Sequence, residues 1–151
     1  MRVLAVGLLF AFAAAPASAA DKNEDKAKEA AVAFLKAVKA KDVDAVMKAS
    51  AAPFAHREGG EIGVLKDEAE LKKWLKGKLD DIKDADKVPT DVDKVVPFAD
   101  LKQKLDGEDL KKVEGVVGKD GFVAMIEVDG KMVVILVKMT DGKGKVVGIG
   151  H

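Results

Sequence analysis

The chain has 151 residues, with 26 basic side chains balanced by 26 acidic ones and neither cysteine nor tyrosine. That balance gives no reason to expect nucleic acid or an anionic membrane as partner. The missing cysteine excludes thiol catalysis, thiolate metal ligands and a lipid-modified cysteine anchor, and aromatic residues, at 5%, are too few for a platform that stacks sugars or bases.

Residues 1–20, MRVLAVGLLFAFAAAPASAA, read as an export signal. Arg2 precedes an apolar run from Val3 to Ala15, Pro16 breaks it, and Ala17-Ser18-Ala19-Ala20 offers small residues to a signal peptidase. The run is short of the roughly 20 residues that span a bilayer. The expected location is therefore periplasmic or secreted, in a bacterium, with no membrane attachment after cleavage. Residues 21–151 then form one domain, of a size that buries a core without disulfides.

Residues 21–26, DKNEDK, read as a frayed polar start. From Ala27 the apolar spacing is helical through Ala30, Ala31, Phe34, Leu35 and Val38. Asp42 is a good N-cap for a second short helix carrying Val43, Val46 and Met47, so the pair forms a helical hairpin joined near Ala40-Lys41. Gly59-Gly60 separates two extended segments, Pro53–Arg57 and Glu61–Leu65. Asp67 and Glu70 resemble a capping box for a helix with Leu71, Trp74, Leu75, Leu79 and Ile82 on one face. Between Asp91 and Val113 the pattern divides: Val95-Val96 suits a strand, whereas Leu101, Leu105, Leu110 and Val113 suit short helical turns broken at Gly107.

Phe122–Val128 and Met132–Met139 flank Asp129-Gly130, a type I′ hairpin signal. A second turn at Asp141–Lys145 leads into a last strand, Val146–Ile149. The order is helices first, then an antiparallel meander. The run Met132–Val137 is apolar on both faces, whereas a sheet with one wet face alternates. Helices account for one cover. The other is the early hairpin, a curled sheet enclosing a pocket, or a partner subunit.

The segments Ala30–Phe54 (AAVAFLKAVKAKDVDAVMKASAAPF) and Gly121–Gly150 (GFVAMIEVDGKMVVILVKMTDGKGKVVGIG) resemble the nuclear transport factor 2-like family. This cystatin-like fold also houses ketosteroid isomerase and polyketide cyclases. The resemblance implies an α+β, cone-like architecture, with N-terminal helices packed on a curved C-terminal antiparallel sheet. It further implies a hydrophobic pocket between sheet and helices and a homodimer formed through the sheet. It rests on pattern, with no catalytic signature.

His56, Arg57, Glu58 and Glu61 are the densest set of functional side chains. At a pocket mouth His56 is a candidate general base, oriented by Glu58 or Glu61; at a hairpin tip the same residues are only solvated. Glu127, alone in an apolar strand, is a second candidate proton carrier if burial raises its pKa, and otherwise pairs across strands with a lysine such as Lys138. Asp93 and Asp100 carry the same ambiguity. Ketosteroid isomerase uses an Asp assisted by Tyr, and this chain has no Tyr for that role. Phe54, His56, Trp74 and Glu127 are the candidate pocket residues, with Phe54 and Trp74 equally suited to core.

His56 and His151 lack ligand spacing, so no metal site is expected. Gly115–Gly121 and Gly142–Gly144 read as turns rather than phosphate loops, so no cofactor is expected. Arg57 is the only arginine beyond the leader, which weighs against anion recognition. The sequence favours a non-enzymatic domain that binds a small apolar ligand or a protein partner. The alternative is an isomerase, cyclase or hydrolase acting on a small hydrophobic substrate through His56 or Glu127.

Overall fold

The computed structural model describes residues 19–151, so the export signal lies outside the described residues apart from its last two positions. Helix α1 (Ala19–Lys39) includes Asp21–Lys26, where a frayed start was expected. Lys22, Glu24 and Lys26 are good helix formers, and they carry Asn23 and Asp25 within a helix already under way. Ala27, Ala31, Phe34 and Leu35 are buried on one face, as the spacing predicts.

The helix ends on Lys41 in the left-handed region (φ 54°). Lys41 N–H donates to the Val38 carbonyl at 3.0 Å and Asp42 N–H to that of Ala37 at 3.1 Å, the double bond of a Schellman turn. Asp42 at once caps α2 (Val43–Ala49), its carboxylate accepting from Ala45 N–H at 3.0 Å. One aspartate thus closes one helix and opens the next.

Strands β1 (Ser50–Glu58) and β2 (Glu61–Leu65) form an antiparallel hairpin. Helix α3 (Glu68–Asp81) follows, capped by Asp67 through Glu70 N–H at 2.9 Å, while the Glu70 carboxylate accepts from Lys66 N–H at 2.8 Å. The returning bond falls one residue earlier than in a standard capping box. Ile82 lies just beyond the helix, as its C-cap.

The divided segment resolves as both readings in turn: β3 (Lys94–Pro97), α4 (Phe98–Leu101), a 3₁₀ turn (Lys102–Lys104) and α5 (Gly107–Val117). Gly107 opens α5 rather than interrupting it, and Gly115 lies inside the helix rather than in a turn. Strands β4 (Phe122–Val128), β5 (Lys131–Thr140) and β6 (Lys143–Gly150) complete the chain. Asp129 (φ 50°) and Gly130 (φ 76°) both adopt the positive φ that a type I′ turn requires.

The architecture is α+β, with one departure from the expected antiparallel sheet. The six strands run β2-β1-β6-β5-β4-β3. The early hairpin joins this same sheet, with β1 parallel to β6 and all other pairs antiparallel. Pro53, which has no N–H for a ladder, sits where the β1–β6 register is interrupted between Ser50 and Ala55.

Alternation along β5 sends Val133, Ile135 and Val137 into a core with α1, α2 and α3, and Val134 and Leu136 into a second core with Phe98, Val113, Val116 and Val117. The second face of the doubly apolar strand is therefore covered by α4 and α5 of the same chain, and not by the early hairpin. Periodicity within β5 showed that a cover was needed but carried no information on which segment supplied it.

Candidate functional site

Three of the four expected pocket residues come together on the α3 side of the sheet. Phe54 is fully buried, with its ring 5.7 Å from that of Trp74. His56, two residues on and therefore on the same face of β1, lies 5.1 Å from Trp74 at an interplanar angle of 37°. Gly63 makes this possible, because a methyl group there would come within 2.6 Å of His56 Nε2. His56 Nδ1 is 4.0 Å from the Glu58 carboxylate. It is buried without a hydrogen-bond partner in the protein, as is Trp74 Nε1.

Lys78 closes the outer side of this cluster. It pairs with Glu58 and lies 5.7 Å from the Trp74 ring centre. The Lys78 hydrogen bond and charge hold the Glu58 carboxyl below its usual range, against a smaller opposing effect of desolvation. His56 and the Trp74 N–H pull in the same direction, the latter without reaching hydrogen-bond geometry. Glu61, opposite Glu58 at the hairpin end, is exposed. The cluster is a ring stack beneath an ion pair, and Glu58, Trp74 and Lys78 border an open cleft of about 540 Å³ that Ile82, Val133 and Ile149 also line.

Glu127 is elsewhere. The two-residue turn places it opposite Met132, while Lys138 is opposite Lys145, so the expected Glu127–Lys138 pair does not form. Glu127 shares the β4 face of Val123 and Met125 but is exposed. Its N–H donates to Asp93 at 2.9 Å, which gives Asp93 a structural role. Asp100 is exposed on α4.

An apolar cavity of about 230 Å³ lies on the opposite face of the sheet. Ala55, Val134 and Leu136 form its floor, and Leu101, Leu105 and Val113 its roof. Two features of the sequence create it. A bulge in β6 pairs Leu136 with Gly148 and Val137 with Val146, after which Gly148 and Gly150 present no side chain to this face. Gly148 is filled space, since a methyl there would meet Leu136 at 2.7 Å, but at Gly150 the nearest atom is Arg57 Cβ at 3.6 Å. The roof is held by Lys102, which reaches Glu114 of α5 at 2.6 Å in a half-buried pair, and by Lys112, which donates to the Ile62 carbonyl at 3.3 Å.

His56 borders the cavity at the β1 backbone, whereas Phe54, Trp74 and Glu127 do not line it. The sequence reading missed the roof leucines as site residues. The four-residue spacing of Leu101 and Leu105 signalled an apolar stripe but not what it faced. Among the described residues no group of three or more His, Asp or Glu side chains could hold a metal ion, and no helix is long and apolar enough to cross a membrane. No family model matches the chain, and no curated protein matches it in sequence.

Proposed function

We propose that this domain binds a small apolar ligand in the cavity between the sheet and the α4–α5 layer. On this reading it acts after export, once residues 1–20 are removed, in the periplasm or outside the cell. The observation that carries the proposal is the cavity itself: eight apolar side chains around about 230 Å³, kept open by Gly150. Each methylene transferred from water into such a space contributes about 0.8 kcal/mol. On this reading the nuclear transport factor 2-like resemblance gives the fold-level context: two helices, a hairpin and a third helix precede the meander, with β3, α4 and α5 inserted between them.

The protein-partner reading has lost its motive, because the apolar face of β5 that called for a partner is covered within the chain. The proton-carrier reading requires His56 or Glu127 to point into a closed pocket; Glu127 is exposed, and the half-buried His56 lays its ring against Trp74, with Nδ1 unpartnered in the protein.

The test is a titration of the purified protein with n-octanol, followed by methyl NMR. Shifts confined to Leu101, Leu105, Val113, Val134 and Leu136 are expected. Gly150→Val, which adds bulk where only ordinary contacts exist, abolishes them while leaving the circular dichroism spectrum intact. Unmoved methyls in the wild type, or undiminished binding by the valine variant, overturn the reading.

A further inference from the structure

The charged side chains at the apolar cavity are of one sign. Arg57 and Lys104 line it together with His151, and no Asp or Glu side chain does. Lys112 lies on the adjoining surface of α5, held at the Ile62 carbonyl. Among the described residues neither Arg57 nor Lys104 takes part in an ion pair. The carboxylates of the nearby hairpin do not pair with them: Glu58 is engaged by Lys78 on the opposite face, and Glu61 lies at the exposed turn. The only arginine beyond the leader, which in a sequence otherwise rich in lysine weighed against anion recognition, is thus placed at the rim of the apolar cavity.

We propose that the ligand is a short-chain amphiphile whose apolar tail enters between Leu101, Leu105, Val113 and Leu136 and whose single carboxylate rests between Arg57 and Lys104. The inference rests on the cavity being a binding site and adds the chemistry of its occupant. Size limits the tail, since about 230 Å³ lies below the ~300–1,000 Å³ usual for drug-sized ligands. The charge complement selects the head. A guanidinium presents a planar fork matched to a carboxylate, and a lysine adds a compact second charge. Because both side chains are exposed, the tail supplies the binding energy and the pair supplies orientation and discrimination against neutral chains.

The experiment compares octanoate with n-octanol, equal in chain length, by calorimetry and methyl NMR on the wild type, Arg57→Gln, Arg57→Lys and Lys104→Gln. Octanoate is expected to bind about tenfold more tightly than octanol to the wild type. Each glutamine variant brings octanoate toward the octanol value without changing octanol binding, Arg57→Lys retains part of the preference, and added salt narrows the gap. Equal affinity for the two probes, or an octanoate affinity indifferent to Arg57→Gln, overturns the anionic head while leaving the apolar cavity a binding site. If neither probe moves the cavity methyls, both readings fall. All the substituted positions are exposed, so loss of fold does not confuse the outcome.

Discussion

The rings of His56 and Trp74 stack 5.1 Å apart, and each buries a nitrogen, Nδ1 and Nε1 respectively, that hydrogen-bonds to nothing in the protein. A buried donor left unmade costs about 1–3 kcal/mol, whereas its removal by an apolar group of similar shape is close to neutral. Trp74→Phe is therefore expected to change stability by less than about 1 kcal/mol, and Trp74→Ala to lower it by about 3 kcal/mol through the cavity left beside Phe54. Urea denaturation separates the two. A loss with Trp74→Phe as large as with alanine shows that the indole N–H has a partner after all.

Gly63 and His56 are coupled by contact. A methyl at position 63 falls within 2.6 Å of Nε2, so Gly63→Ala must turn the imidazole off Trp74. The expected cost is about 1–3 kcal/mol, together with a change in Trp74 emission. Combined with His56→Ala, which removes the obstacle, the methyl costs little, so the double-mutant cycle shows strong non-additivity. Additive losses would remove the claim that this glycine exists to seat the ring.

The ion pair above the stack predicts a pH dependence. Glu58 titrates below the ordinary carboxylate range in the folded protein, chiefly because of its hydrogen bond from Lys78. A carboxylate with a depressed folded pKa contributes stability above its unfolded pKa, and that contribution is lost as pH falls through the folded value. The wild type is accordingly expected to exceed Glu58→Gln in stability at neutral pH, with the difference shrinking below about pH 4.5 and with added salt. Lys78→Met removes most of the dependence. Parallel stability curves for wild type and Glu58→Gln down to pH 3 contradict this assignment.

The second core predicts that α4 and α5 are integral to the sheet rather than a detachable flap. Phe98 is fully buried, and its neighbours Val117 and Val123 are nearly so. Phe98→Ala should cost about 3–5 kcal/mol and expose hydrophobic surface to a dye. A loss under about 1 kcal/mol would mean that the layer already opens in solution.

Much of this fold is legible in the sequence, and the reasons for the remainder are specific. Ala27 to Val38 and Leu71 to Leu79 repeat with helical period because each helix faces one core. Asp129-Gly130 announces its hairpin because few other residues adopt two successive positive φ angles. Counting outward from that turn also places Glu127 opposite Met132, so its missing lysine partner was in principle readable. The β1–β6 pairing was not, since a parallel contact between residues nearly a hundred positions apart leaves no local trace. Nor was the site, whose floor, roof and rim come from β1, β5, α4, α5 and the strand end at Gly150. His56 and Trp74 stood out because of their residue types, yet those same types serve here to seal a core edge. The cavity is built largely from leucines, valines and one glycine that look ordinary in sequence.

The position of β6 between β1 and β5 has a temporal consequence. Every earlier element can form locally, but the two halves of the sheet share no direct strand pairing until residues 143–150 arrive to join them. A chain without that strand holds both cores open, and because contacts of this sequence separation are slow to form, joining the two halves is the late step in building the sheet.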